Sequence, residues 1–209
     1  MSESRQYFQT VAPQWEAMRR GFFSEAVREK AFEAAGAAAG KIAADIGAGA
    51  GFVTEGLLRR GLRVIAVDRS EAMLEEMKRK FGEGGAVEYR IGEAESLPLE
   101  DRSVDYVFAN MCLHHVESPS TAVREMARIL KPGGRLVITD LDRHDFEFLR
   151  TEHHDRWMGF ARPDVARWLT GAGLVDVEIG GVGENCCAAS QSGCGEAAVS
   201  IFVAYGKGA

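Results

Sequence analysis

The chain has 209 residues, 46% of them hydrophobic, which is enough to bury one sizeable core, so we expect a single domain over residues 1–209. Its formal net charge of -6 argues against nucleic acid as the main partner, because phosphate binding requires a basic surface. The N-terminus is polar and no apolar run approaches the length of a membrane span, so we expect a cytoplasmic protein without a membrane partner.

The first predicted elements are helices over residues 1–36. Apolar side chains recur there at the spacing of one helix face, at Phe8, Val11, Trp15 and Met18. Ser24 can begin a further helix toward Ala35. On physical grounds alone, aromatic residues in such helices pack in a core more often than they cover a ligand.

A glycine-rich bend follows the first predicted strand, residues 42–46. Three glycines stand at alternate positions, Gly47, Gly49 and Gly51. A strand that turns tightly into a helix points free backbone N–H groups at an anionic or strongly polar ligand. Because Phe52 follows directly, the spacing differs from the dinucleotide pattern G-x-G-x-x-G. Asp45 would repel a pyrophosphate at this bend but can hold an ammonium group.

A second acid, Asp68, ends the next predicted strand, residues 62–68. A carboxylate there can accept hydrogen bonds from both hydroxyls of a ribose. A tight turn that binds no ligand is the alternative, and the two acids disfavour it. Ser70 is predicted to cap a helix that runs through Lys80.

These motifs resemble those of the class I S-adenosylmethionine (SAM)-dependent methyltransferases, whose first motif is hydrophobic-Asp-x-Gly-x-Gly-x-Gly. Residues 92–98 are similar to that family's Gly-Asp-Ala-Glu-x-Leu-Pro turn, and residues 7–15 to its cofactor-covering segment. The Leu-His-His-Val run at 113–116 resembles the branch that includes the quinone-biosynthesis C-methyltransferases. The resemblance spans roughly residues 7–141.

The resemblance implies SAM as the cofactor. It implies that Asp45 and the bend hold the amino-acid end of SAM, that Asp68 holds the ribose, and that residues 93 and 94 hold the adenine. Glu93 stands where the family usually has Asp, which lengthens the reach by one methylene. The expected cofactor-binding residues are Tyr7, Trp15, Asp45, Gly47, Ala48, Gly49, Gly51, Asp68, Arg69, Met73, Gly92, Glu93, Ala94 and Asn110.

The alternation of strands and helices predicts an α/β fold with a doubly wound, mostly parallel sheet. Seven strands are predicted, over residues 42–46, 62–68, 86–91, 106–109, 135–140, 174–179 and 197–205. Likeness to the class I fold implies an antiparallel last strand and an N-terminal helical lid. We expect the lid at 1–36, the SAM-binding core at 37–141, and substrate-side helices with a C-terminal hairpin at 142–209.

Histidines are the candidate catalytic residues. His114 and His115 follow the fourth strand, and His154 lies in residues 142–160, which show helical periodicity. Adjacent histidines can act as a general base or as a metal pair, although neighbours on a loop rarely point the same way. Alternatively, one of them packs against the methionine end of the cofactor. Residues 142–160 loosely resemble the cap of methyltransferases that neighbour arsenic-responsive regulators.

Cysteines are the candidate metal ligands. Cys112 follows the fourth strand, and the loop expected between the last two strands holds Cys186, Cys187 and Cys194. Such thiols can capture arsenite, another metalloid or zinc. A redox or regulatory role, and small residues that merely suit a glycine-rich loop, are the alternatives.

We therefore expect a SAM-dependent methyltransferase that acts on a small-molecule acceptor, one candidate being a thiol-captured metalloid such as arsenite. The first alternative is a non-catalytic sensor that binds SAM and a soft metal. The second is a nicotinamide-dependent oxidoreductase, which Asp45 and Phe52 disfavour. The sequence leaves open the acceptor atom and whether the protein is a monomer or a homodimer.

Overall fold

The computed structural model describes residues 3–190, 193 and 195–209. The helices are α1 (Glu3–Val11), α2 (Trp15–Phe22), α3 (Ala26–Ala35), α4 (Phe52–Arg59), α5 (Glu71–Phe81), α6 (Pro119–Arg128), α7 (Glu147–Glu152) and α8 (Arg162–Gly171). The strands are β1 (Ile42–Ile46), β2 (Arg63–Asp68), β3 (Val87–Ile91), β4 (Val104–Asn110), β5 (Leu130–Leu141), β6 (Leu174–Ala189) and β7 (Glu196–Gly208).

The strands form one seven-stranded sheet in the order β3-β2-β1-β4-β5-β7-β6. Strands β1 to β5 pair in parallel, whereas β7 is antiparallel to both β5 and β6. The predicted α/β fold with a mostly parallel sheet and an antiparallel last strand is therefore confirmed. The strand order reverses between β1 and β4, and such a reversal opens a crevice at the carboxyl ends of those two strands.

Helices cover both faces of the sheet, and alternate strand residues supply the two cores. Val107 and Leu136 pack with Met126 of α6 in one core. Their chain neighbours Phe108 and Val137 point to the opposite face and pack there with residues of α3 and α4. Because both faces are covered, the polar side chains at the carboxyl edge are the ones that a ligand can reach.

Of the N-terminal helices, α1 and α2 lie beside this edge and α3 packs against the sheet. A short 3-10 turn, Ala12–Gln14, joins α1 to α2. Val27 and Phe32 of α3 are buried in the same core as Phe108. The helices predicted over residues 1–36 are thus present, and α3 belongs to the layer that covers the sheet.

None of the helices in the described part of the chain is long and apolar enough to span a membrane.

The C-terminal part differs from the sequence-based expectation in two places. Helical periodicity over residues 142–160 gives only the short helix α7, because His154 and Gly159 have φ of 59° and 63°, which a right-handed helix does not allow. The second correction concerns Cys186 and Cys187, which lie in strand β6 and not in a loop. They pair with Val199 and Ala198 of β7 after an irregularity in the ladder. Cys194 lies outside the described residues.

Candidate functional site

Two adjoining cavities open at the carboxyl edge of the sheet. The first is a cleft of about 920 Å³ beside the ends of β1, β2 and β4, lined by the glycine bend. The second, of about 510 Å³, lies between the N-terminal helices and the segment that follows β5. Residues common to both cavities are Phe8, Trp15, Phe23, Met111 and His115. The two cavities are therefore neighbours, and these five side chains form their common boundary.

Asp45 is the most buried carboxylate of the cleft, with 1% of its surface exposed. Its Oδ2 accepts hydrogen bonds from the Thr54 N–H at 3.0 Å and from the Thr54 hydroxyl at 2.7 Å. No donor among the described residues reaches Oδ1. Burial raises the pKa of Asp45 to about 7; the Thr54 hydrogen bonds oppose this rise, and the Asp68 carboxylate adds to it.

The glycine bend needs its glycines for reasons of conformation and space. Gly47, Gly49 and Gly51 have φ of 68°, 53° and 89°. A Cβ on Gly47 would lie 2.4 Å from the Cys112 Sγ, and one on Gly51 would lie 2.5 Å from the Phe81 ring. No other residue combines the positive φ with the missing Cβ at these positions.

Asp68 stands where β2 ends and is fixed by two backbone donors. Its Oδ2 accepts from the Gly49 N–H and its Oδ1 from the Ser70 N–H, both at 2.8 Å. Burial raises the pKa of Asp68, and these two hydrogen bonds act against the rise. Each oxygen keeps a second acceptor site that a ligand hydroxyl can use. Glu93 and Ala94 line the same cleft.

All of the expected cofactor-binding residues except Tyr7 and Gly51 line the cleft. Tyr7 lines the second cavity instead, and Gly51 packs against Phe81 and Met77 at the start of α4. Sequence reasoning did not identify several further lining residues, among them Arg19, Phe23, Phe52 and Met111. Met111 has a positive φ of 50°, which its residue type did not predict.

Aromatic and aliphatic side chains form most of the second cavity, namely Tyr7, Phe8, Trp15, Phe22, Phe23, Met111, Leu141, Leu149 and Ala188. Two polar atoms in these walls, the Tyr7 hydroxyl and the His153 Nε2, are buried and have no hydrogen-bond partner among the described residues. Buried polar atoms are normally hydrogen-bonded. The cavity therefore offers an apolar surface with free polar groups, as small-molecule sites do.

His114 is buried between two carboxylates. Its Nδ1 lies 2.7 Å from the Asp140 Oδ1, and its Nε2 lies 3.7 Å from the Asp155 Oδ1. Asp140 also accepts hydrogen bonds from the N–H groups of Leu113 and Leu141, each at 2.8 Å. Burial alone would lower the pKa of His114, but Asp140 and Asp155 raise it to about 9.

His115 borders both cavities, unlike the other two candidate catalytic histidines. Its Nδ1 lies 3.3 Å from the carbonyl oxygen of His154, which can only accept a hydrogen bond, so Nδ1 carries the proton and Nε2 the lone pair. Burial, followed by the charges of His114 and Arg69, lowers the pKa of His115 well below its usual value. His154 contributes this carbonyl, and its ring packs against Tyr7 with centroids 4.8 Å apart.

The described cysteines are free thiols and do not form one cluster. Cys112 lines the cleft beside Gly47, and burial, then the Asp68 and Asp140 carboxylates, raises its pKa. Cys186 lines the second cavity, where burial and Asp155 raise its pKa to about 12. Cys187 is exposed, because neighbours on a strand point to opposite faces.

Comparisons with known proteins agree with this geometry. Residues 44–138 match the family described as "Methyltransferase domain". The chain is similar to a demethylmenaquinone methyltransferase of Renibacterium salmoninarum, with 34% identity over 139 residues that cover 66% of this chain and 57% of that protein. It is also similar to a ubiquinone biosynthesis O-methyltransferase of Xanthomonas axonopodis, with 30% identity over 161 residues, 69% of this chain and 66% of that protein.

Two solved structures show the same fold. The YcgJ protein of Bacillus subtilis has a TM-score of 0.68 and 20% identity, covering 87% of this chain and 97% of that one. A phosphoethanolamine N-methyltransferase of Haemonchus contortus, solved with S-adenosylhomocysteine, has a TM-score of 0.71 and 17% identity, covering 87% of this chain and 52% of that one. The chain spans 19% to 66% of the length of the curated relatives it matches.

Proposed function

Since the chain belongs to the class I SAM-dependent methyltransferases, we propose that it transfers the methyl group of SAM to a small-molecule acceptor in the second cavity. One observation carries the proposal. The cleft that holds the glycine bend, Asp45 and Asp68 adjoins a second, mostly apolar cavity, and Met111 and His115 line both. Two ligands that meet at one boundary are what group transfer between a cofactor and a substrate requires.

The residues of the cleft fit SAM. The free Oδ1 of Asp45 would accept a hydrogen bond from the amino group of the methionine part, and Asp68 would accept from the ribose hydroxyls. Glu93 and Ala94 would hold the adenine. The glycine bend leaves room for a ligand against the backbone, which a Cβ at Gly47 would disturb. When bound, SAM supplies a methyl group on a positively charged sulfur, which is the electrophile of the reaction.

The second cavity would position the acceptor and exclude water. Aromatic walls suit a small molecule with a flat or apolar body, and the free Tyr7 hydroxyl and His153 Nε2 suit its polar groups. His115 would contact the reacting heteroatom, because it lies at the boundary of both cavities. His114 would position its neighbour, and His154 would hold the His115 ring through its carbonyl.

A narrower version of this proposal has a metalloid such as arsenite as the acceptor. Of the described thiols, Cys186 is the one that borders the second cavity, so it is the residue that would capture a soft acceptor there. Cys187 points to the opposite face of β6 and serves as its matched control. Arsenite methylation that Cys186→Ser abolishes and Cys187→Ser preserves would support this version.

An acceptor screen that follows S-adenosylhomocysteine formation tests the proposed function. The panel contains phenols, quinols, amines, small acids and arsenite. We expect at least one acceptor to release S-adenosylhomocysteine, with His115→Ala slowing release at least tenfold and the exposed Asp145→Asn leaving it unchanged. Tight SAM binding without release for any acceptor would favour the non-catalytic sensor, and a protein that does not bind SAM would contradict the proposal.

A further inference from the structure

Three side chains at the second cavity bring metal-binding atoms together. His114 and His115 lie in the 3-10 turn that follows β4, and Asp155 lies in the segment after α7. Their ligand atoms lie within 4.8 Å of one another. The Asp155 Oδ1 is 3.7 Å from the His114 Nε2 and 4.0 Å from the His115 Nδ1. Donors in a tetrahedral zinc site lie roughly 3.3 Å apart, so a small approach would close this group around an ion.

The backbone holds these two segments side by side. The N–H groups of Arg156 and Trp157 both donate to the carbonyl oxygen of His114, each at 3.0 Å. The Trp157 indole N–H also donates to the carbonyl oxygen of Val116 at 3.0 Å. Asp155 is therefore fixed beside the histidines by bonds that do not involve its own carboxylate.

Asp155 is buried, and its carboxylate has no hydrogen-bond donor in the described part of the chain. Only 5% of the residue is exposed, and no donor among the described residues lies within hydrogen-bond distance of its oxygens. Its carboxylate lines the second cavity, where a cation or a hydrogen-bond donor would replace the water that the fold has removed. Imidazole nitrogens of His114 and His115 lie 3.7 Å and 4.0 Å from its Oδ1, and imidazole and carboxylate ligands can bind one metal ion together.

Asp140 fixes the orientation of the His114 ring in the way that carboxylates commonly fix metal-binding histidines. It binds the Nδ1 of the ring at 2.7 Å, so Nε2 points toward Asp155. Asp140 is itself fixed by two backbone N–H groups. A histidine that ligates a metal through one nitrogen commonly donates its other N–H to such a carboxylate.

We propose that the Nε2 of His114, the Nδ1 of His115 and the Asp155 carboxylate bind a divalent first-row transition ion of the Zn²⁺ type. Two imidazoles and one carboxylate suit such an ion, whereas Mg²⁺ and Ca²⁺ prefer oxygen ligands alone. Binding would displace the proton on the His115 Nδ1, and with it the 3.3 Å hydrogen bond to the His154 carbonyl that holds the ring in the ion-free protein. Cys186 lines the same cavity and is the candidate for a fourth ligand.

This site also defines an acceptor class, and that part rests on the proposed function. All three ligands line the second cavity, so an open coordination position would face the acceptor. The acceptor would then be a small molecule whose reacting oxygen, nitrogen or sulfur can coordinate the ion. Coordination favours the deprotonated form of such an atom, which is the form that attacks a methyl group.

Titration with Co²⁺, followed by visible absorption in the absence of SAM, tests the metal site. We expect one equivalent of Co²⁺ to give the intense bands of tetrahedral coordination, and Zn²⁺ to remove them. Asp155→Asn should weaken Co²⁺ binding at least tenfold, with Asp145→Asn as the matched control that binds like wild type.

A Cys186→Ser protein that loses the thiolate-to-cobalt band would identify the fourth ligand, and one that keeps the band would remove Cys186 from the set.

Two results would overturn the site. One is a wild-type protein that shows no stoichiometric tetrahedral Co²⁺ spectrum. The other is equal binding by Asp155→Asn and Asp145→Asn. Because the titration uses neither SAM nor acceptor, its failure leaves S-adenosylhomocysteine formation untouched. Full methyl transfer by chelator-treated, metal-free protein would overturn the acceptor class.

Discussion

The pKa of Asp45 makes the charge of the cleft at the glycine bend depend on pH. Burial raises its pKa to about 7, so in the free protein this carboxyl is largely protonated below that value. A ligand ammonium group needs the carboxylate form. We therefore expect the affinity for S-adenosylhomocysteine to rise by up to about tenfold per pH unit from about pH 5 toward about 7, and to level off above it.

Calorimetric titrations across this range, on wild type and Asp45→Asn, check the prediction. The variant should bind weakly with little dependence on pH. The same raised pKa means that Asp45 contributes stability to the ligand-free protein at low pH, and that this contribution is lost as pH rises through about 7. A steep pH dependence that persists in Asp45→Asn would assign the effect to another group.

Gly47 is the glycine whose replacement should disturb the cleft most directly. Its φ of 68° strains any other L-residue by about 1–2 kcal/mol. A Cβ there would also lie 2.4 Å from the Cys112 Sγ. We expect Gly47→Ala to lower the affinity for S-adenosylhomocysteine at least tenfold and to lower the melting temperature.

Gly171→Ala is the matched control, because nothing lies within 4 Å of the added Cβ at the end of α8. It should leave the affinity unchanged and should not lower the melting temperature. Thermal unfolding and calorimetry on the two variants make the comparison. Wild-type affinity in Gly47→Ala would mean that the ligand does not depend on this bend.

At the scale of elements, α1 and α2 are held more weakly than the sheet they adjoin. The buried apolar residues of this region, Val11, Ala12 and Met73, form a small cluster of their own. Segments with few buried contacts open locally at lower free energy than the core. Phe8 and Trp15 nevertheless line both cavities, so ligand binding should stabilise these helices.

Hydrogen exchange measured by mass spectrometry tests this coupling. Amides of residues 3–22 should exchange faster than those of α3 in the free protein, and they should slow when S-adenosylhomocysteine is added. The helix α8 lies away from the cleft and serves as the internal control. Unchanged exchange in residues 3–22 on ligand addition would contradict a covering role for α1 and α2.

The sequence predicts well those elements whose own residues show the pattern of a strand or the cap of a helix. Short apolar runs such as residues 42–46 became strands, and Ser70 caps α5 by accepting a hydrogen bond from the Met73 N–H. The second half of β6 carries no such signal, because its Gly, Glu, Asn and Cys residues are typical of loops. There the antiparallel partner β7 supplies the pairing, which only the tertiary structure reveals.

At the scale of the whole molecule, the two cavities differ in how far sequence could predict them. The cleft was predictable because its residues lie at or just after the carboxyl ends of β1, β2 and β3 in local motifs, as Asp45, Asp68 and Glu93 do. The second cavity joins residues far apart in the chain, such as Tyr7, Asp155 and Cys186. No local pattern relates these positions, so the gathering of His114, His115 and Asp155 emerged only from the fold.

A crystal structure of the protein with S-adenosylhomocysteine tests most directly whether the cleft is the cofactor site. We predict that the ligand lies along the glycine bend, with its amino group on Asp45 and its ribose hydroxyls on the Asp68 carboxylate. Density for the ligand elsewhere, or an Asp68 side chain that turns away from the ribose, would contradict the assignment of this cleft.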